Sequence, residues 1–236
     1  MPRQARVAPP GYVYHVINRT AGKHIMLRED EDFAAFERIM LQAYEREPLP
    51  ILAWCLMGNH WHFVVRPTKE GQMSRFFRWL TLTHAMRWRV AHRNVGAGHL
   101  YRGRFKAFPV QTGGHLLEVL RYVERNALSA DLTKRAQDWR WGSLWVRQEG
   151  PKPLRELLAE WPGGRPRGWV NYVNQALTAK ELARLTTSEN RSRPYGDDAW
   201  TGRTAGKLGL EYTIRDPWRP TTGGKERTKD RGSAKK

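Results

Sequence analysis

Residues 50 to 67, PILAWCLMGNHWHFVVRP, hold two apolar runs separated only by Gly58 and Asn59 and bounded by Pro50 and Pro67. Gly-Asn between two such runs is a tight-reversal signal, so the segment reads as a hairpin of two largely buried strands, 51–57 and 60–66. The second strand opens with His60 and His62. Side chains two apart on a strand share a face, so the two imidazoles project together while Trp61, Phe63 and Val65 point the other way. Two ring nitrogens converging from one face suit a metal ion, although a histidine pair on a strand is, by itself, commonly structural.

The flanking segments extend this hairpin into a fold. GYVYHVINRT, rich in β-branched and aromatic residues, reads as a strand over 11–19. Phe33, Phe36, Ile39, Met40 and Ala43 recur at helical spacing over 30–46, and Pro48 and Pro50 end that helix. Residues 72–93 form a long helix with Met73, Phe76, Phe77 and Leu80 on its early apolar face. RFKAFPV supplies a fourth strand, and a short helix follows over 115–128. The order strand, helix, strand, strand, helix, strand defines an α+β fold, the ferredoxin-like or RRM-like βαββαβ antiparallel sheet, with one helix added.

Lys and Arg number 41 against 23 Asp and Glu, a formal charge of +18, which favours a polyanionic partner and above all nucleic acid. The single cysteine, Cys55 within PILAWCLM, excludes an internal disulfide framework and reads as a buried core thiol. No run reaches the ~20 apolar residues of a membrane helix, and the basic N-terminus lacks the apolar segment of a secretory signal. The expectation is a soluble, cytoplasmic protein with no membrane partner.

The organisation expected is a catalytic domain over 1–148, linker and accessory helices over 149–190, and a basic C-terminal extension over 191–236. Residues 150–168 are linker-like in their proline and glycine content, 169–186 form a further helix, and the polar tail is unstructured when unbound.

In the helix HLLEVLRYVERNAL, Leu116, Val119, Leu120, Val123 and Ala127 form the core stripe. Tyr122 and Asn126, four apart, lie together at its margin. A phenol and a carboxamide side by side can act as nucleophile and oxygen ligand. Of the other tyrosines, Tyr14, Tyr101 and Tyr195 are rivals, without a partner at helical spacing inside a matching motif.

With YHVINRT, MGNHWHFVVRP, YRGRFKAFPV, LRYVERN and DWRWGS in order over residues 11 to 145, and RSRPYGDDAW beyond, the chain resembles the single-tyrosine HUH transposases, more narrowly the REP-associated tyrosine transposases. It departs from them after Asn126, where ALSADL replaces the usual Pro-Val-Arg-Ala-Gly. The resemblance implies a DNA transposase that cuts single-stranded DNA beside a hairpin. Tyr122 would attack, leaving a 5′-phosphotyrosine bond, with Mg²⁺ or Mn²⁺ held by His60, His62 and Asn126. Imidazole favours Mn²⁺, and a free imidazole pKa of ~6.5 would cost activity in mild acid.

Arg102, Arg104 and Lys106 read as DNA-backbone contacts, with Tyr101 and Phe105 as a stacking platform for a single strand. Arg75 and Arg78 of the long helix are further cations for DNA. His15 on the first strand shares the sheet surface of the site as a structural residue. Asn59 shapes the turn and fixes His60. Three other functions compete: an RNA-binding module of the same strand order, a metal hydrolase, and a domesticated hairpin binder without catalysis. An RRM, however, places its aromatics on the third strand, where this chain has histidines. A hydrolase would add acidic ligands, which 56–67 lacks. A monomer and a homodimer are both compatible with the sequence.

Overall fold

The computed structural model describes residues 7–96 and 98–215. The acidic first turn of α1 (Asp30–Arg46) suits a helix N-terminus, and Asp32 accepts the Arg28 backbone N–H there at 2.9 Å. Around that helix the chain lays down β1 (Val13–Arg19), β2 (Ile51–Met57), β3 (His60–Val65) and β4 (Lys106–Val110). The sheet runs β2-β3-β1-β4 with every pairing antiparallel, which is the expected α+β topology.

Alternation sorts the strands' side chains. Tyr14, Val16, Trp61, Phe63 and Val65 turn to one face, where α1 and α2 (Gln72–Ala91) seal them; Trp61 stacks on Phe77 with ring centroids 5.4 Å apart. His15, Ile17, His60, His62 and Val64 turn to the other. That face is not open, as it would be in an RNA-reading sheet. The helix α3 (Gly114–Glu124) lies across it with Leu116, Val119, Leu120 and Val123 buried, and the short α4 (Asn126–Ser129) continues it after Arg125.

The segment after residue 149 packs where composition reads as linker. Among the described residues, five further α-helices follow α4: α5 (Ser143–Glu149), α6 (Lys152–Glu156), α7 (Trp169–Asn174), α8 (Ala179–Arg191) and α9 (Asp198–Leu208). Trp161, Trp169, Val173, Leu185 and Tyr195 join the apolar cluster beneath α3. Glu124, buried within α3, accepts hydrogen bonds from Ser143 Oγ at 2.7 Å and Trp169 Nε1 at 2.6 Å, tying three elements together. The expected helix 169–186 is two helices, α7 and α8, parted at Gln175. Thr178 and Glu181 start the second with reciprocal side-chain-to-backbone bonds.

Chain segments also lie along both sheet edges. Gly142 bridges to Cys55 and Leu158 to Ile51 outside β2, and Tyr195 bridges to Val110 outside β4. No helix among the described residues is long and apolar enough to cross a membrane. The tail from 219 to 236 lies outside the described residues.

Candidate active site

Antiparallel register sets the site's floor. Arg19 pairs with His60, Ile17 with His62 and His15 with Val64, so the three imidazoles and the Arg19 side chain emerge from one face at the end of β1 and the start of β3. Over this floor α3 and α4 carry Tyr122 and Asn126, with the Tyr122 ring 5.5 Å from that of His62. The histidine pair, the tyrosine and the asparagine, 66 residues apart at the extremes, therefore meet in one place.

The hydrogen bonds define the ligand atoms. His60 Nδ1 lies 2.6 Å from Asn59 Oδ1, so its N–H is donated there and Asn59 fixes the ring. A neutral imidazole has only one N–H. With that tautomer His60 Nε2 offers a lone pair beside Asn126 Oδ1 at 3.3 Å. Both atoms can serve a cation as ligands. Cis ligands at ~2.1 Å from an octahedral ion sit about 3 Å apart, so the separation fits. His62 Nδ1 and His15 Nε2 are 2.9 Å apart; donation from His62 leaves its buried Nε2 without a partner and available as a ligand. His15 orients His62, as a structural histidine would.

The sequence reading missed one group at the centre. Glu189 of α8 is buried, with Oε1 3.7 Å from His62 Nδ1 and Oε2 3.5 Å from the Arg19 guanidinium. Ligating atoms of His15, His62 and Glu189 lie within 4.8 Å of one another. Glu189 and Asn126 are the side chains that act most directly on the Tyr122 hydroxyl, Glu189 raising its pKa and Asn126 lowering it. The ion pair of Arg121 with Glu181 at 2.6 Å and the burial of Leu185 seat α8 on α3, and two turns on from Glu181 the helix delivers Glu189. The available signal was an acidic side chain four residues after Leu185, on the apolar stripe of a helix whose start the Thr178–Glu181 box marks.

Burial dominates the titration of these groups. It lowers His15 to about 3 and His60 to about 4, and His62 well below its ordinary value; nearby Arg19 adds to each. Burial thus favours neutral imidazoles across the physiological range, where a free value of ~6.5 led to an expected loss of activity in mild acid. Burial also raises Glu189, and it raises Tyr122 far above the ordinary phenol value, with the Glu189 charge as the next cause.

The rival tyrosines are otherwise employed. Tyr14 donates to the Pro9 carbonyl at 3.0 Å and Tyr195 to Glu118 at 2.5 Å. Tyr101 is buried among the core aromatics, receiving Trp61 Nε1 at 3.3 Å and facing His84 Nδ1 at 2.8 Å. Phe105 is buried too, 5.1 Å from the Phe77 ring. Both rings pack mainly into the core, where a stacking platform was expected, and only their edges reach the groove between α2 and the segment 99–105. Arg75, with its side chain 55% exposed, pairs with Glu47, Nε to Oε2 at 2.5 Å. Arg102, Arg104 and Lys106 do line a cleft of about 470 Å³ with Arg19, running up to Glu189. Arg78 lies beyond it, on α2.

Residues 10–126 match the family model described as "Transposase IS200 like". No curated protein matches the chain. Among solved structures, a REP-associated tyrosine transposase bound to a REP hairpin is similar at 14% identity and a TM-score of 0.51, covering 76% of this chain and all of that one. A putative transposase from Deinococcus radiodurans R1 is 20% identical over 52% of this chain and 95% of its own, with a TM-score of 0.38. The tRNA(His) guanylyltransferase of Saccharomyces cerevisiae is 8% identical over 69% and 78%, at 0.43. The first likeness is one of fold.

Proposed function

From the premise that this chain belongs to the IS200-like transposases and is a transposase, we propose that it cuts and rejoins single-stranded DNA beside a hairpin, in the manner of a REP-associated enzyme. The observation that carries the reading is the meeting of His60 Nε2 and Asn126 Oδ1 at 3.3 Å, with the Tyr122 ring 5.5 Å from that of His62.

His60, His62 and Asn126 would hold Mg²⁺ or Mn²⁺, and imidazole ligation favours Mn²⁺. When bound, the ion supplies Lewis-acid polarisation of a phosphate oxygen. Everything else belongs to the chain. Asn126 orients the Tyr122 oxygen, and Glu189 accepts its hydrogen bond, so the attacking lone pair faces away from the carboxylate. The phenol oxygen forms a bond to phosphorus and its proton leaves toward Glu189, while the bond from phosphorus to the 3′ oxygen breaks and that oxygen takes a proton from solvent to give a free 3′ hydroxyl. The 5′-phosphotyrosine bond conserves the phosphodiester energy, so strand transfer needs no nucleotide cofactor. Arg19, Arg102, Arg104 and Lys106 line the approach of the scissile phosphate.

The test is adduct formation on a single-stranded hairpin substrate with Mn²⁺, resolved on a denaturing gel. The parent protein should yield a covalent protein–DNA band that Tyr122→Phe abolishes while hairpin affinity stays nearly unchanged. An adduct with Tyr122→Phe would show that another residue attacks.

A further inference from the structure

Beside the catalytic cleft lies a second groove, of about 670 Å³, between α2 and the segment 99–105. Its chemistry is consistent along its length. Arg78, Arg89, Arg102 and Arg104 line it, and among the described residues no acidic one does. Its α2 wall repeats at one-turn spacing, Arg78, Leu82, Met86 and Arg89, so these side chains form one stripe opposite the buried Phe76, Phe77, Leu80 and His84. Leu82 and Met86 are 56% and 69% exposed and lie one turn apart between the arginines, so they give the groove an apolar floor flanked by positive charge. Arg102, Gly103 and Arg104 line both this groove and the cleft that ends at Glu189, so the two are continuous across that segment.

We propose that this groove binds single-stranded DNA, the unpaired strand flanking the cut phosphate, with its bases on Leu82 and Met86 and its phosphates on the arginines. The inference deepens the function proposed above and rests on it for the identity of the strand. An extended polyanion with apolar faces at each unit is the occupant that matches four cations around an aliphatic floor. The stacking role expected of Tyr101 and Phe105 thus passes to exposed aliphatic neighbours on α2, while the two aromatics support the groove from beneath.

The experiment measures affinity by fluorescence anisotropy for three probes: oligo-dT, a bare hairpin, and the same hairpin carrying an unpaired flank of about eight nucleotides. The variant Leu82→Asp/Met86→Asp, at two exposed positions, should lose about tenfold or more on oligo-dT and on the flanked hairpin. It should bind the bare hairpin as the parent does. Arg78→Gln/Arg89→Gln should flatten the log–log salt dependence of oligo-dT binding by roughly 0.7 for each phosphate no longer neutralised. Unaltered oligo-dT binding by both variants would overturn the proposal, as would a parent dimer that Leu82→Asp/Met86→Asp dissociates without change in DNA affinity. If oligo-dT binding falls as stated but no hairpin is ever cut by the parent, the groove stands and the hairpin reading fails.

Discussion

The burial of the site predicts that metal affinity survives acid that would defeat exposed histidines. A free imidazole of pKa ~6.5 is about tenfold more protonated than neutral at about pH 5.5. Two such ligands would together cost a metal site about 100-fold, or about 2.7 kcal/mol. In this protein His60 is lowered to about 4, and His62 further in the same direction, by burial first and by neighbouring positive charge second. A depressed pKa keeps the neutral, ligating form present below 6.5 and loses it only as pH falls through about 4. Only roughly 3% of His60 would be protonated at pH 5.5. Titration of the DNA-free protein with Mn²⁺, followed by the electron paramagnetic resonance of the free ion, should therefore give affinities within about threefold at pH 7.5 and 5.5.

The same groups set the control. His15, His60, His62 and His84 are all depressed, so the unfolded chain binds more protons than the folded one below pH 6.5, and stability falls with pH. One unit below 6.5 the four contribute a loss of about 5 kcal/mol. Glu37, Glu124 and Glu189, all raised by burial, oppose it. Circular dichroism must show the chain folded at the lower pH. A 100-fold affinity loss from a folded protein would refute the claim that the ligands are buried and neutral.

Tyr101→Phe should cost about 1–3 kcal/mol in urea denaturation, because it strips the partner from buried His84 and Trp61, while oligo-dT affinity holds; a selective loss of affinity would restore the stacking role. Gly150→Ala would put a methyl 2.6 Å from Val146 Cα, with no side chain to yield. Calorimetry should show a Tm lower by about 2–4 °C for each of the roughly 1–3 kcal/mol of destabilisation, and an unchanged Tm would mean that the turn shifts freely. The tail 219–236 carries seven Lys or Arg against two acidic residues. Its deletion should weaken hairpin binding and reduce the log–log salt slope by roughly 0.7–0.9 for each phosphate the tail would have neutralised; an unchanged slope would make the tail a passive extension.

What the sequence disclosed and what it concealed divide by range. The hairpin of β2 and β3 was legible because Gly58 and Asn59 sit between two apolar runs, and period-two alternation then put His60 and His62 on one face without further knowledge. The Tyr122–Asn126 pair was legible from helical spacing, even though the helix is interrupted at Arg125, since one residue of irregularity does not rotate the face away. The pairing of Arg75 was not legible, because its partner Glu47 lies 28 residues off, just past the end of α1. The burial of Tyr101 and Phe105 was hidden for a related reason. An aromatic between arginines reads alike whether it faces solvent or core, and only the packing of α2 decides. Residues 150–168 read as linker because proline and glycine dominate local statistics, yet two tryptophans at 161 and 169 carried enough apolar area to anchor the segment beneath α3.

The concealed residue that matters most is Glu189, and the electrostatics explain why the fold tolerates it. A carboxylate buried beside three imidazoles would be costly alone. Arg19 makes it tenable. Its guanidinium pairs with Glu189, and the same charge is among the causes that depress His15, His60 and His62 and temper the rise of Tyr122. One cation at the end of β1 therefore acts on five groups at once, two of them acids and three of them bases that must stay neutral. Its side chain is 57% exposed on the cleft side, so it faces both the buried cluster and the route by which a phosphate would enter. Because Glu189 comes from α8, outside residues 10–126, the segment that matches the transposase family forms the imidazole floor and the tyrosine above it but not the anion between them. In this chain the accessory helices pack Glu189 against the candidate site rather than simply following it.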